Sequence, residues 1–253
     1  MSRARKLTLA RILVVAVAVG LLELLCRAHV IKPLVMIAPS EMFAAMWSLL
    51  ASGEISVDIA RTFTTVAAAF AGAVVSGFVL GALVHALPRL RRVIDPLLAS
   101  YYAVPFFVFY PLLVALFGLT IMPLMAIAFG FAVPAMMIAT ILGLDRVPRV
   151  LLKVARIHRM SRVATVARIV LPAALPNLMN GIKLALAYAF IGVIAGEFIL
   201  SGTGLGYAIS FAYQSFDNRA MYGLMLFVLL VAVIANGILY VWEGRLARRR
   251  SSG

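Results

Sequence analysis

The chain has 253 residues, of which 64% are hydrophobic and 13% charged, with a formal net charge of +14. Soluble domains run about 45–50% apolar and about 25% charged, so a mean hydropathy of +1.08 excludes a chain that hides its apolar surface in a soluble core. The positive residues sit in short blocks between apolar runs, which argues for membrane topology and against nucleic acid, and the single cysteine, Cys26, excludes an intrachain disulfide.

Residues 1–11 form a basic leader with Arg3, Arg5, Lys6 and Arg11, followed by an apolar run over 12–25. The run is long and no small-residue cleavage site follows it, so a retained first transmembrane helix is expected rather than a signal peptide. Residues 31–58 are mixed and extramembranous. Within them Pro39-Ser40-Glu41 starts a helix, and Met42, Phe43, Met46, Trp47, Leu49 and Leu50 make it a short amphipathic one suited to the interface.

A second span is expected over 59–87. Ala69, Ala73, Gly77 and Gly81 recur every four residues, as do Ala68, Gly72 and Ser76, and such stripes let helix backbones approach closely in lipid. Arg89, Arg91 and Arg92 stop this span. The third, over 97–118, is aromatic, with Pro105 and Pro111 among Tyr101, Tyr102, Phe106, Phe107, Phe109 and Tyr110. Prolines are tolerated in a span when neighbours or a cavity satisfy the freed carbonyls. A kinked helix is therefore expected here, with Tyr101, Tyr102, Phe106 and Tyr110 as candidate pathway lining. An aromatic interface belt with packing prolines is the competing reading. The fourth span runs from 123 to about 143, with Pro134 inside it.

Residues 144–176 carry the densest charge: Arg146, Arg149, Lys153, Arg156, Arg159, Arg162 and Arg168, opposed only by Asp145. Val147, Val150, Leu151, Val154, Ile157, Met160 and Val163 recur at helical steps, the apolar stripe of an amphipathic helix pair with a basic outer face. The stretch is expected to end at Leu171-Pro172, where proline removes a donor and clashes with the preceding turn. It reads either as a loop lying on lipid headgroups or as a docking element for a cytoplasmic partner.

The fifth span covers 178–200 and holds Glu197, the one acid well inside an apolar run. A buried acid in lipid faces the bundle interior or a cavity, so Glu197 either contacts solute or a gate, or bonds structurally across helices. An external segment over 201–219 begins Ser-Gly-Thr-Gly-Leu-Gly-Tyr and reads as a flexible loop. The sixth span covers 221–242, and Arg245, Arg248, Arg249 and Arg250 close the chain. Three regions result: a leader, first helix and external amphipathic segment over 1–58, a core over 59–245, and a basic tail over 246–253. With both termini in the cytoplasm every basic cluster lies inside, as the positive-inside rule requires. The expected fold is an all-α integral membrane bundle of six transmembrane helices.

Ile169-Val170-Leu171-Pro172 resembles the end of the loop motif of bacterial ABC importer permeases, written E-A-A, three residues, G, nine residues, I-x-L-P. Ala38-Pro39-Ser40, Asp95-Pro96, Gly196-Glu197 and residues 201–207 resemble the sulfonate, taurine and nitrate branch, and the likeness runs from about 39 to 245. Two motif positions depart: Lys153 stands at the acid and Arg159 at the glycine. The resemblance implies a type I importer-like bundle, a cytoplasmic coupling helix that sits on a separate ABC ATPase subunit, a solute-binding protein outside, and a second copy of the chain. It puts Lys153, Val154, Ala155, Ile157, Arg159, Met160, Leu171 and Pro172 at the ATPase, and Gly204, Leu205, Gly206 and Tyr207 near the binding protein. The substrates it implies are small anions, pyrimidine precursors or aromatic acids.

No G-x-x-x-x-G-K-[ST] phosphate loop occurs, so ATP is expected on a partner and no cofactor on this chain. His29, His85 and His158 are scattered, which speaks against a metal site. No catalytic residues are assigned, and a self-sufficient secondary transporter is disfavoured because ionisable residues inside the spans are almost absent. The reading is a permease working by alternating access. Its competitor is a membrane scaffold that kept the fold and lost ATPase coupling.

Overall fold

The computed structural model describes the backbone of residues 3–251 and the side chains of residues 10–245. The side chains of Arg3, Arg5, Lys6, Arg248, Arg249 and Arg250 lie outside the described residues. In chain order the helices are α1 (Arg3–Arg27), α2 (Pro39–Ser52), α3 (Ser56–Ala86), α4 (Pro88–Ser100), α5 (Tyr110–Phe117), α6 (Met122–Asp145), α7 (Arg149–Ile157), α8 (Arg162–Thr165), α9 (Leu171–Leu200), α10 (Leu205–Gln214) and α11 (Asn218–Ser251).

The core is a three-helix stack with α6 between α3 and α9. Small residues set its spacing. Ala69, Ala73, Gly77 and Gly81 of the first predicted stripe are all buried, and a Cβ on Gly77 would lie 2.8 Å from Met136 Cβ of α6. On the other side a Cβ on Gly181 of α9 would lie 2.5 Å from Ala139 Cβ. With no hydrophobic drive between helices in lipid, backbone approach of this kind supplies the packing. In the second stripe Gly72 also approaches α6, where a Cβ would lie 3.3 Å from a ring carbon of Phe129, while Ala68 is exposed.

Among the described residues four helices are long and apolar enough to cross a membrane: Ser56–Ala86, Met122–Asp145, Arg162–Leu200 and Asn218–Arg245. A fifth arises if the bent pair Pro88–Ala103 and Phe106–Phe117 counts as one span, and α1 does not meet the same test over its described residues. The expected count of six is therefore not reached. The third segment is not one kinked helix but two arms bent by 90°. Pro105 lacks an N–H and pushes Val104 into extended backbone, with φ −82° and ψ 122°, so no helix continues through it.

The fifth span begins earlier than expected. Between α8 and α9 the backbone widens into a π turn over Val166–Val170, where the Leu171 N–H donates to the Val166 carbonyl. Pro172 thus sits in the first turn of α9, where its missing N–H costs least. The helix runs through Leu-Pro where the sequence predicted a stop.

At one end of the bundle α2 lies on α11, with Ala45 and Met46 buried against Gly223. Here Asn218 donates to the Pro33 and Leu34 carbonyls, and the Tyr222 hydroxyl donates to Val35 O. The opposite end gathers His85, Arg91, Asp145, Arg146 and Asn177, and from it α7 projects.

Candidate functional site

Helix α7 and the turn after it carry the predicted coupling residues. Ala155 is its one buried residue, at 2% exposure. The apolar stripe does not face inward as the sequence suggested. Val147 is buried, but Val150, Val154, Ile157 and Val163 are exposed, Ile157 at 78%. Val150, Val154 and Ile157 are four and three residues apart, so they form one apolar face. Lys153, Arg156, Arg159 and Arg162 are exposed around it. The result is an apolar row with a cationic surround, open to a partner.

The turn ends α7 with paired capping bonds. Met160 N–H donates to Ala155 O at 2.9 Å and Arg159 N–H to Arg156 O at 3.0 Å, the bonding of a Schellman cap. Its left-handed residue is Arg159, with φ +48°. The conformation that favours glycine is thus kept without glycine. Ser161 then caps α8, its hydroxyl accepting from Ala164 N–H at 3.2 Å, and α8 leads through the π turn to Leu171 and Pro172, both partly buried.

The root of α7 is held by a clasp the sequence did not reveal. Asp145, the last residue of α6, accepts from both Arg91 nitrogens at 2.8 and 2.7 Å, and from His85 Nδ1 at 3.1 Å. The next residue, Arg146, donates to Asn177 Oδ1 of α9 at 3.0 Å. Helices α3, α4, α6 and α9 therefore meet within two residues of chain, three residues before α7 begins. Planar two-point pairing makes Arg91–Asp145 a directional link between α4 and the root of α7.

The aromatic residues predicted to line a path divide. The Tyr101 hydroxyl donates to Gly130 O at 2.8 Å, and Gly130 is four residues before Pro134, whose missing N–H leaves that carbonyl without its helical partner. Tyr101 is thus a structural plug, with Phe106 packed on it at a centroid distance of 4.7 Å. Tyr110 donates to Leu200 O at 2.7 Å and ties α5 to the end of α9. Tyr102 is exposed and stacks on Tyr188.

Glu197 lies at 2% exposure in a closed network. Thr62 Oγ1 is 2.9 and 2.8 Å from its two oxygens, and Gly206 N–H donates to Oε2 at 3.0 Å. Leu205 N–H donates to Thr62 Oγ1, and Gly204 N–H to Asp58 Oδ1 at 2.7 Å. The segment expected to be a flexible loop is instead wrapped on this carboxylate, with Leu205 only 1% exposed. Gly204 has φ +100°, and a Cβ there would collide with the Glu197 carboxyl group. Of the two readings open for Glu197, the geometry is that of a structural bond across helices. Tyr207 is partly buried and packs on Phe211.

Residues 73–252 match the model of the family described as binding-protein-dependent transport system inner membrane component. The chain is 28% identical over 243 residues to the putative aliphatic sulfonates transport permease protein SsuC of Bacillus subtilis, covering 95% of this chain and 87% of that protein. It is 26% identical over 181 residues to the nitrate import permease protein NrtB of Leptolyngbya laminosa, covering 72% of this chain and 65% of that one. It is 31% identical over 154 residues to the bicarbonate transport system permease protein CmpB of Synechococcus elongatus, covering 60% and 55%. Among solved structures, a chain of the inward-facing MetNI methionine ABC transporter aligns with TM-score 0.59 and 22% identity, over 77% of this chain and 95% of that one.

Proposed function

Because this chain belongs to the family of binding-protein-dependent transport system inner membrane components, we propose that it carries a small oxyanion of the sulfonate, nitrate or bicarbonate kind inward across the bacterial plasma membrane. The chain is an ABC importer permease subunit, and its fold is that of a type I importer. Two copies span the membrane with both termini in the cytoplasm, each seats one ATPase subunit on α7, and a solute-binding protein docks at the outer end. ATP is bound by the ATPase and this chain performs no hydrolysis. Closure of the ATPase pair moves α7, and the movement swings the bundle between outward- and inward-open states.

The observation that carries this reading is the exposed row Val150, Val154 and Ile157 beside a cap that keeps its left-handed turn at Arg159. A loop resting on headgroups has no need of a rigid cap after a nine-residue helix. The charge reversal at Lys153 predicts compensating acids in the partner's groove. The scaffold reading gains no support from the loop, since Arg159 retains the turn that degeneration of the motif would have erased.

The test is affinity purification from membranes in mild detergent, with mass spectrometry of the co-eluting chains. An ATPase at equal stoichiometry, lost when Val154 and Ile157 are changed to Asp, is the expected result. Elution of the folded permease without any ATPase would transfer the case to the scaffold.

A further inference from the structure

Helix α9 carries Asn177, partly buried, and Asn180, exposed, and its other exposed residues are largely apolar, such as Leu184 and Ile191. Asn180 is exposed, and an amide held against hydrocarbon is costly. Its place on the fold is particular. Asn177 and Asn180 border a recess of about 230 Å³ that also touches Ile138 of α6, Leu184 and Tyr188 of α9, and Tyr102 at the break of the third segment. Tyr102 and Tyr188 close one side as a stacked pair, with centroids 5.0 Å apart and planes at 25°. Arg146 donates to Asn177 Oδ1, which directs that amide's N–H groups away from the guanidinium. None of the lining residues is charged.

We propose that this recess is where the solute touches the permease in transit, and that Asn177, Asn180 and the hydroxyl of Tyr188 serve a small oxyanion with neutral donors. The inference rests on the permease reading and names the contact that reading lacks. Amide and phenol donors match the spread negative charge of a nitrate or sulfonate group. With no cation in the lining, and Arg146 engaged with the Asn177 carbonyl oxygen, they hold it weakly, as conduction requires a site favourable enough to enter and weak enough to leave. An exposed Asn180 facing such an aqueous path has its hydrogen bonds met by water, which lipid does not provide. Tyr102 belongs to the segment that Arg91 clasps to Asp145, so movement of the docking loop reaches the wall of the recess.

Cys26 is the sole cysteine, so a Cys26→Ser background gives a blank chain for single-cysteine probes. Asn180→Cys and, as a lipid-facing control, Val233→Cys on α11 are placed in the assembled transporter in inverted membrane vesicles. Each is treated with the anionic sulfonatoethyl and the cationic trimethylammonioethyl methanethiosulfonate, with rates normalised to free cysteine. Asn180→Cys is expected to react with the anionic reagent about a hundred-fold faster than Val233→Cys, the order set by exclusion of charge from hydrocarbon. It is also expected to prefer the anionic reagent over the cationic one, and to be slowed by millimolar nitrate or ethanesulfonate. A rate equal to that of Val233→Cys overturns the proposal, because the amide then lies in lipid or in a dry interface between copies. A preference for the cation overturns it too, because the path is then wet but not built for anions. If the ATPase co-elutes while Asn180→Cys stays unreactive, the transit site fails and the permease reading stands; absence of the ATPase removes both.

Discussion

Arg159 holds a left-handed conformation that costs a side-chain-bearing residue about 1–2 kcal/mol, and the two capping bonds of the turn keep it there. Asn tolerates this region while a β-branched residue does not. Arg159→Asn and Arg159→Val remove the same charge, and of the two only Asn suits the left-handed turn. The Asn variant should bind the ATPase about ten-fold more tightly than the Val variant, as about 1.4 kcal/mol implies, measured by titrating the purified ATPase onto permease in nanodiscs; equal affinities would mean that the turn plays no part in docking. At the end of the bundle away from α7, Thr62 is both donor to Glu197 and acceptor from Leu205. Thr62→Val leaves a buried carboxylate short of a partner and a buried N–H with none, a loss of about 2–4 kcal/mol. Thermal unfolding in detergent should show it as a clearly lowered midpoint, with Thr62→Ser close to wild type.

The clasp at the root of α7 is an interaction between elements, and its members are only partly shielded. Such pairs add at most about 1 kcal/mol to stability, so its role is sought in coupling. Arg91→Asp and Asp145→Arg should each lower ATP hydrolysis stimulated by the loaded binding protein, and the double reversal should recover most of it. Failure of the double variant to recover would assign both residues to local packing alone. The close contact of α6 and α9 makes a second demand: Gly181→Val places methyl groups into Ala139, and overpacking of this kind costs about 1–3 kcal/mol. Poor yield of folded protein in membranes is the expected outcome, and normal yield would show that the two helices have room to separate.

How far the sequence was readable follows from the range of each interaction. The Ala69–Gly81 stripe was legible because a four-residue period is local and its meaning in lipid is packing. The left-handed turn at Arg159 was not legible, since Arg stands where the motif has glycine and is an unlikely occupant by itself. The broken third segment was not seen as broken, because the residues around Pro105 are apolar throughout and periodicity does not register a 90° change of direction. Tyr101 was singled out as pathway lining because its bond to the carbonyl freed by Pro134 joins positions 29 residues apart. The Glu197 network joins positions 135 apart, so both readings of that acid stayed open until the helices were in place.

At the scale of the whole molecule, the bundle has one end built around the Glu197 network and another built around Asp145, with α3, α6 and α9 running between them. In the proposed mechanism this stack is the part that a motion of α7 would displace as a body, and the broken third segment, joined to α7's root through Arg91, would move with it. In the proposed function α7 transmits the state of the ATPase to the bundle. The most direct measurement is ATP hydrolysis by the reconstituted assembly in proteoliposomes, with and without loaded binding protein, comparing the native chain with one carrying Val154→Asp and Ile157→Asp. Hydrolysis should rise with loaded binding protein for the native chain and show no such rise for the variant, although the variant permease remains folded. The same rise in both would contradict it and place the coupling somewhere other than α7.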